Sequence, residues 1–343
     1  MEIRSSARAV DAQWLTSTLR EAGFDGTVER VSWQSIGAGQ VGENARFEIS
    51  GTGNLPQTVV GKFPSDDPTS RQTGVALNNY AREVFFYETI APTVDIQVPQ
   101  VFGTGIDPAT QEFFILMEDL APGVQVDQMD ECTVDQAALA LEQLARLQGP
   151  RWGDAALAGS PLLVRANGGG GGLSMFLGGF LERYGERLEP GAIRMVEAAG
   201  VAASNATAYD GPLTLIHIDY RLDNMVFGGP RPLTVLDWQS VNLGCALNDA
   251  SYFMGTSLKP SSRAAEEKHL LRHYLDVLGS YGVDLGWDLC WALYRRYAPA
   301  GLNMAIVASM IVGETQRGND MFMTMAQRSI AMCEDHGALE PTG

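Results

Sequence analysis

Residues 213–239, LTLIHIDYRLDNMVFGGPRPLTVLDWQ, contain the pattern that decides the fold. Two short apolar runs, residues 225–227 and 233–236, flank the sequence GGPRP, which is suited only to a turn. Apolar runs separated by glycine and proline predict a β-hairpin. Polar residues surround both ends of this hairpin: His217, Asp219, Asp223 and Asn224 precede it, and Asp237 follows it.

Carboxylates placed beside apolar strands are costly to bury unless something compensates their charge, and a divalent cation does so. Asn224 follows Asp219 by five positions, and Asp237 follows thirteen positions later, at the end of the next strand. A loop aspartate, a metal-binding asparagine and a second metal-binding aspartate occur in this order in the phosphoryl-transfer template. The alternative is an Asx-rich turn that caps its own backbone. The complete set, with strands on both sides, favours phosphoryl transfer.

The composition narrows the class of protein. The chain has 343 residues, of which 45% are hydrophobic and 19% charged, enough for a buried core and two lobes. A net charge of −17 argues against a nucleic-acid partner. No apolar run is long enough to cross a bilayer, and no signal peptide is evident. The composition does not indicate an oligomeric state. Four widely spaced cysteines predict reduced, buried thiols in a cytoplasmic protein: Cys132, Cys245, Cys290 and Cys333.

A glycine-rich loop lies between the first two predicted strands, residues 28–35 and 44–50. It reads GxGxxG, at Gly37, Gly39 and Gly42. A dinucleotide-binding loop would lead into a helix, as in an oxidoreductase, whereas this one leads into an alternating strand. A strand, a glycine loop and a second strand form the nucleotide-covering flap of kinases. An ordinary glycine-rich hairpin is the alternative, and only the downstream motif favours the flap.

Lys62 ends the third predicted strand, residues 58–63. A lysine at the end of an apolar strand is often a surface residue. Its position two strands after the glycine loop makes it the candidate to bind the α- and β-phosphates. The predicted helix of residues 78–90 offers Glu83 and Glu88 as partners for this lysine. We favour Glu83, which lies in the middle of the helix, and expect Glu88 to face solvent.

Two more predicted strands, residues 98–105 and 113–117, complete a sheet of about five. The sequence EDLAPG, residues 118–123, then ends the strand pattern and predicts a lobe boundary. The predicted lobes are residues 1–120, which bind the nucleotide, and residues 121–343, which carry catalysis and substrate binding. If the protein is a kinase, this boundary is also the hinge whose main chain binds the adenine base of the nucleotide. Met117 would line the pocket, with the Glu118 C=O and the Leu120 N–H at the base edge.

The C-terminal lobe is predicted to be mostly helical. The NGGGGG sequence of residues 167–172 is unsuited to a helix or strand, and we interpret it as a flexible connector rather than a phosphate-binding nest. The predicted helices are residues 134–148, 174–187, 193–209, 263–281, 287–296 and 320–336.

With HIDYRLDN at residues 217–224 and LDW at 236–238, the chain resembles the aminoglycoside phosphotransferase and choline kinase-like superfamily over nearly its whole length. The resemblance implies an α+β, bilobal protein-kinase-like fold. It also implies ATP and Mg²⁺ as cofactors and a small-molecule alcohol as substrate. The implied roles are Asp219 as catalytic base, Asn224 and Asp237 as magnesium ligands, Lys62 with Glu83 as phosphate-positioning pair, and His217 as a brace for the loop.

Ile218 departs from the family pattern, which usually has glycine there. Protein kinases carry arginine at this place and a long peptide-binding segment after the metal-binding aspartate. Here the helical pattern resumes soon after Asp237, and Asp249 is expected to tether the catalytic loop. Both features favour a small acceptor over a protein.

Competing interpretations are an inactive nucleotide-binding module and a protein kinase. An inactive module would usually lack Lys62, Asp219 or Asp237, and all three are present. The choice between ATP and GTP stays open. So does the acceptor, which could be an aminoglycoside, a hydroxylated acyl-CoA, a sterol or terpenoid alcohol, or an amino alcohol.

Overall fold

The computed structural model describes residues 2–37, 42–166 and 170–339. The chain divides into two compact units. The N-terminal unit comprises Met1–Pro92, Val98–Pro122 and Leu236–Ser240, and the C-terminal unit comprises Thr93–Gln97, Gly123–Val235 and Val241–Gly343. The segment Leu236–Ser240, which carries Asp237, therefore belongs to the N-terminal unit although it lies far beyond the predicted boundary.

A five-stranded antiparallel sheet forms the N-terminal unit, as predicted. Its spatial order is β1-β2-β3-β5-β4, and every neighbouring pair is antiparallel. Alternation of side chains between the two faces of a strand made these elements recognisable from sequence. The strands are β1 Thr27–Ser35, β2 Gly42–Thr52, β3 Thr58–Pro64, β4 Val101–Ile106 and β5 Phe113–Glu118.

Helix α1, Ala12–Glu21, covers one face of this sheet. Asp11 caps it by accepting a hydrogen bond from the Trp14 N–H at 2.8 Å. The Trp14 ring packs edge-on against Phe114 with centroids 4.9 Å apart, which fixes the helix on the core. Helix α2, Pro68–Ala76, was not predicted, although its proline in the first turn and its Asp67 cap are start signals.

The predicted helix of residues 78–90 is present but changes type along its length. Helix α3, Asn79–Phe85, passes into a π-helical turn, Phe86–Ile90. One extra residue in a helical turn shifts which side chains face inward, and such turns occur often at functional sites. Here Glu83, Phe86 and Tyr87 are all buried.

Eight helices belong to the described part of the C-terminal unit. The largest helix pairings are α4 with α8, α10 with α11, and α5 with α6. Their bounds are α4 Val134–Gln148, α5 Gly170–Tyr184, α6 Pro190–Ser204, α7 Leu247–Ser257, α8 Pro260–Gly279, α9 Trp287–Arg296, α10 Ala300–Ile311 and α11 Gln316–His336.

Short strands in the same unit frame the polar motif. β6, Thr214–Ile216, pairs with β9, Asn242–Gly244. β7, Met225–Phe227, pairs with β8, Leu233–Val235, which confirms the predicted hairpin. Gly228 and Gly229 both have a φ of 76°, a left-handed conformation that glycine adopts without steric cost.

The NGGGGG sequence corrects one prediction. Residues 167–169 lie outside the described residues, but α5 begins at Gly170, so part of the run is helical. Glycine costs about 1 kcal/mol per helical position relative to alanine. Leu173 is fully buried in the first turn, and this burial offsets the poor propensity.

Two helix ends also differ from prediction. α6 ends at Ser204 rather than near residue 209, because the sequence NATAYDGP that follows is rich in turn residues. α11 begins at Gln316 rather than 320, because the Thr315 side chain accepts a hydrogen bond from the Gly318 N–H and caps the helix.

The four cysteines are free thiols and all are buried. Burial raises the pKa of Cys245 to about 11 and the pKa values of Cys132, Cys290 and Cys333 to about 12. Among the helices of the described ranges, none combines the length and the apolar character needed to span a membrane.

Candidate active site

Lys62 of β3 and Glu83 of α3 form a buried ion pair in the N-terminal unit. The Lys62 Nζ lies 2.8 Å from Glu83 Oε1 and 2.7 Å from Oε2, and the side chains are 9% and 1% exposed. The predicted pairing is therefore confirmed. Glu88 is exposed, as expected, and accepts a hydrogen bond from the Thr104 hydroxyl.

The same lysine binds a second carboxylate. Its Nζ donates to Asp237 Oδ1 at 3.0 Å. Burial alone would lower the pKa of Lys62, but the charges of Asp237 and Glu83 outweigh it and raise the pKa above its usual value. Burial in turn raises the pKa of Glu83, against the attraction of Lys62. Lys62 is thus a permanently charged ammonium that holds two acidic side chains together.

Three contacts fix the residues after Asp237 against α3. Glu83 Oε1 accepts a hydrogen bond from the Trp238 N–H at 3.3 Å, and Arg82 Nη1 donates to the Gln239 carbonyl at 2.9 Å. Phe86 stacks on the Trp238 ring. Asp237 itself has a φ of 64°, an uncommon conformation for a residue with a side chain, and these contacts hold it there. Sequence reasoning did not identify Arg82 or Phe86, although both lie within one helical turn of Glu83.

Asp219 lies between β6 and β7 in the C-terminal unit, and three side chains bind its carboxylate. Oδ1 accepts from the Tyr252 hydroxyl at 2.9 Å and from Arg221 Nε at 2.9 Å, and Oδ2 accepts from Asn224 Nδ2 at 2.9 Å. Burial raises the pKa of Asp219, but Arg221 and the other donors outweigh it, and the net pKa lies below the usual value. Asp219 is therefore an oriented, ionised carboxylate that can accept a proton.

Asn224 is turned toward Asp219 by its amide nitrogen. Nδ2 donates to both the carbonyl and the carboxylate of Asp219, at 2.8 and 2.9 Å. An amide has its carbonyl oxygen on the opposite branch from its nitrogen, so Oδ1 of Asn224 is not engaged by Asp219.

The oxygen donors suit magnesium by their chemistry. Mg²⁺ prefers carboxylate and carbonyl oxygens, and commonly takes only one or two carboxylates together with phosphates and water. Asn224 carries an amide oxygen in the C-terminal unit, and Asp237 carries Oδ2 in the N-terminal unit, whose contact with Gln239 Nε2 is long at 3.3 Å. Within residues 2–37, 42–166 and 170–339, no three His, Cys, Asp or Glu side chains are arranged to hold a metal by themselves.

The main chain before Asp219 is tethered to helix α7. Asp249 accepts hydrogen bonds from the His217 N–H at 2.5 Å and the Ile218 N–H at 3.1 Å, which confirms the expected tether. His217 is fully buried, and its ring packs edge-on against Tyr220. Ile218 has a φ of 71°, the left-handed region that β-branched residues rarely adopt. The backbone therefore takes here a conformation that glycine adopts without strain, although this chain carries isoleucine.

The glycine loop is described at its two ends only. Gly37 has a φ of 72° after β1, and Gly42 begins β2. A Cβ at Gly42 would lie 3.3 Å from Lys62 Cε and 3.1 Å from the Phe63 carbonyl, so a side chain there would press on the lysine. Gly39 lies outside the described residues. The predicted passage from loop to strand is confirmed.

The predicted hinge is held by its own side chains. Asp119 binds Arg46 at 2.7 Å and accepts a hydrogen bond from the Ala121 N–H at 3.1 Å. The Glu118 carboxylate accepts from the Gln100 N–H. Met117 and Leu120 are buried. Both acidic side chains of the hinge, Glu118 and Asp119, are thus bonded to other residues of the same unit.

Sequence reasoning missed two partners of Asp219. Arg221 is within the motif, but no pattern shows that its side chain turns back to the aspartate. Tyr252 is 33 residues away on α7, and no local spacing points to it. Both become visible only when α7 packs against the loop.

Comparisons with known proteins identify the family to which this chain belongs. A model of the phosphotransferase enzyme family (APH) matches residues 42–287. A search of the curated proteins found no match. Similar solved structures include that of a candidate aminoglycoside phosphotransferase from Ralstonia eutropha JMP134, with 15% identity, a TM-score of 0.56 and coverage of 95% of this chain and 98% of that one.

Two further structures have nucleotides bound. The GDP complex of aminoglycoside 2'-phosphotransferase-IIIa has 14% identity, a TM-score of 0.52 and coverage of 93% and 99%. The ADP-bound aminoglycoside phosphotransferase APH(2'')-Ib has 15% identity, a TM-score of 0.51 and coverage of 93% and 99%. Likeness at this identity shows the fold. Because the family match covers most of its length, the chain belongs to the phosphotransferase enzyme family.

Proposed function

We propose that this phosphotransferase is a kinase that transfers the γ-phosphoryl group of ATP to a hydroxyl group of a small molecule, with Mg²⁺. The observation that carries the proposal is the state of Asp219. Its carboxylate is ionised and oriented by Asn224, Arg221 and Tyr252. A positioned carboxylate of this kind is the base of the phosphoryl-transfer template.

In the proposed reaction the acceptor hydroxyl oxygen attacks the γ-phosphorus, the bond to the β-phosphate oxygen breaks, and ADP leaves. Asp219 accepts the proton of the hydroxyl. A carboxylate with a pKa below its usual value is deprotonated at neutral pH and so is ready to do this. His217 and Ile218, bound through their main chain to Asp249, keep the base in place.

Lys62 would bind the phosphates, and Glu83 would hold the lysine in place. The ammonium has three donors, and its contacts with Glu83 and Asp237 leave it anchored in a fixed position. Asn224 and Asp237 would hold Mg²⁺, which supplies neutralisation of charge on the transferring phosphoryl group. The main chain of residues 118–120 would bind the adenine base of the nucleotide, since the Glu118 and Asp119 side chains are already bonded to other residues.

The comparisons support the nucleotide and the acceptor class without naming either for this chain. Two of the structures with the same fold are complexes with GDP and ADP, and they are named as aminoglycoside phosphotransferases. We propose ATP as donor and a small hydroxylated molecule as acceptor, with GTP as the donor to test beside it. We also propose a cytoplasmic location, because the four cysteines are free thiols and reduced cysteines are typical of cytoplasmic proteins.

The experiment is a nucleotide-consumption screen over pooled alcohols with Mg²⁺, comparing the wild type with Asp219→Asn. The pools contain aminoglycosides, amino alcohols, hydroxylated acyl-CoA and terpenoid alcohols. We expect the variant to lose about 10²- to 10⁴-fold in kcat, the usual range for general-base catalysis. Nucleotide affinity, measured by calorimetry, should stay within a few-fold.

Asp210→Asn, at an exposed aspartate, is the matched control and should behave as the wild type. Equal turnover in Asp219→Asn and the wild type would remove the base assignment. Tight nucleotide binding without transfer to any pool would favour an inactive nucleotide-binding module instead.

A further inference from the structure

Residues 124–130, which we call the strap, run beside the catalytic loop in the C-terminal unit. Val124 and Phe227 exchange two main-chain hydrogen bonds, each of 2.9 Å. The Gln125 side chain donates to the Asp223 carbonyl at 2.8 Å. The strap is therefore bound to β7 and to the catalytic loop, residues 217–224, before its central residue, Gln128, is considered.

Gln128 is fully buried and bonds with every polar atom it has. Its Oε1 accepts from the Leu222 N–H at 2.9 Å, and its main-chain N–H donates to Asp223 Oδ1 at 3.2 Å. Its Nε2 donates to the Thr256 carbonyl at 3.1 Å, near the end of α7. One side chain thus joins the catalytic loop to α7.

Arg328 of α11 holds the strap from its other side. Its Nη1 donates to the carbonyls of Gln128, Asp130 and Thr256 at 3.2, 2.9 and 2.9 Å. Its Nη2 donates to the Met129 carbonyl at 2.9 Å. A buried guanidinium that grips three successive carbonyls fixes the path of that main chain, because its donors form a rigid fork.

A series of ion pairs also connects the strap to the catalytic loop near the surface. Arg317, at the start of α11, binds Asp127 of the strap at 3.2 Å and Asp223 of the loop at 3.3 Å. Asp223 also binds Arg221, whose Nε contacts the carboxylate of Asp219. The strap is therefore linked to the proposed base through side chains as well as through the main chain.

We propose that Gln128 and Arg328 are positioning residues for phosphoryl transfer, an inference that rests on the proposed function. Gln128 binds Leu222 and Asp223, which lie between the proposed base Asp219 and the proposed metal ligand Asn224, and Arg328 holds the main chain of Gln128. Residues Leu222–Asn224 form a single 3₁₀ turn, which is too short to be rigid by itself. A displacement of about 1 Å at reacting groups can cost about 10²-fold in rate.

The test compares Gln128→Met with Gln148→Met. Gln148 is also fully buried, and its amide makes two hydrogen bonds, to the Ala246 carbonyl at 3.0 Å and from the Tyr274 hydroxyl at 2.6 Å. The same substitution therefore removes a matched pair of bonds elsewhere in the unit. Both variants should lose similar thermal stability, which separates a positioning role from a merely structural one.

Two readouts are measured on the full chain. Hydrogen–deuterium exchange of the peptide containing Leu222 should accelerate at least tenfold in Gln128→Met and stay unchanged in Gln148→Met. With Mg·ATP and water as the acceptor, kcat should fall about 10- to 100-fold in Gln128→Met only, in line with the cost of misplacement. Nucleotide affinity should be the same in both variants.

Equal exchange in the loop, or an equal kcat in the two variants, would overturn the inference. If Gln128→Met does not fold, Arg328→Lys replaces it, since lysine keeps the charge but lacks the rigid planar fork that binds four carbonyls here. If the wild type transfers phosphate to no acceptor, the proposed function is refuted. The hydrogen–deuterium exchange experiment would still decide whether the strap holds the catalytic loop in place.

Discussion

Phe86 stacks face to face on Trp238, with ring centroids 3.7 Å apart and ring planes 4° from parallel. Trp238 directly follows Asp237, so this contact supports the proposed magnesium ligand. We predict that Phe86→Leu lowers the free energy of unfolding by about 1–2 kcal/mol, since leucine fills much of the space but loses the ring contact. It should also raise several-fold the Mg²⁺ concentration needed for half-maximal nucleotide binding, measured by calorimetry.

Phe180→Leu is the control for this prediction. Phe180 is fully buried and packs on Tyr184 in the C-terminal unit, with centroids 4.9 Å apart. It should cost similar stability and leave the Mg²⁺ requirement unchanged. The same Mg²⁺ requirement in the two variants would mean that the stack does not serve Asp237.

Ile218 has a left-handed backbone, and we predict that Ile218→Gly stabilises the protein by roughly 0.5–1 kcal/mol. The left-handed conformation costs an L-residue about 1–2 kcal/mol, and glycine removes this cost. The extra freedom of glycine in the unfolded chain offsets about 0.4–1 kcal/mol of that stabilisation. Ile218→Ala keeps a Cβ and should show no gain. Urea unfolding of the three proteins checks this, and an alanine variant as stable as the glycine variant would show that backbone strain is not the cause.

Lys62 sits between two carboxylates, and we predict that Lys62→Met costs about 3 kcal/mol of stability. Removing one partner of a buried pair leaves an uncompensated charge, which is the expensive outcome. Nucleotide affinity should fall at least tenfold because the phosphates lose an ammonium. Urea unfolding and calorimetry measure the two effects.

The double variant Lys62→Met/Glu83→Gln tests the cause of that cost. Neutralising Glu83 removes the uncompensated charge, so the double variant should be more stable than Lys62→Met alone. Nucleotide affinity should not recover, since the ammonium is still missing. A double variant that is less stable than the single one would show that charge imbalance is not what destabilises Lys62→Met.

Glu267 makes stability depend on acid pH. It binds the buried Arg263 at 2.6 Å, the Tyr294 hydroxyl at 3.0 Å and His336 at 3.2 Å. Burial raises the pKa of Glu267, but His336 and Arg263 outweigh it and hold the pKa below the usual 4.5. The stabilisation from the charged carboxylate is therefore complete above about pH 4.5 and is lost as the pH falls through the lower, folded-state pKa.

We predict that Glu267→Gln costs about 3 kcal/mol at neutral pH and flattens the acid side of the stability curve. Unfolding free energies from urea titrations between pH 3 and 7 measure both effects. The exposed pair of Arg187 and Asp320 supplies the control, since Asp320→Asn should leave neutral stability nearly unchanged. An unchanged acid slope in Glu267→Gln would refute the linkage.

Local patterns in the sequence were enough to predict the β-hairpin, the five strands and the Lys62–Glu83 pair. The hairpin follows from glycines that must adopt positive φ, and the strands follow from alternation. Glu83 could be chosen over Glu88 because Glu83 lies in the middle of the helix, whereas Glu88 lies near its end and is expected to face solvent. These features depend on residues close together in the chain.

Features that depend on tertiary packing were missed. The turn of the Arg221 side chain toward Asp219, and the approach of Tyr252 from α7, exist only once distant segments meet. Leu173 allows a helix to start among glycines that by propensity would not form one. The roles of the site residues in catalysis stay predictions, for which the variants above are the test.

The thiol chemistry of the four cysteines has a practical consequence. All are buried and hold their protons far above neutral pH, so a maleimide dye should find no native target on the folded protein. A cysteine introduced at exposed Glu29 and another at exposed Asp210 could then carry a donor and an acceptor fluorophore without removing any native cysteine. Energy transfer between them would measure the distance between these two positions in solution, with and without nucleotide.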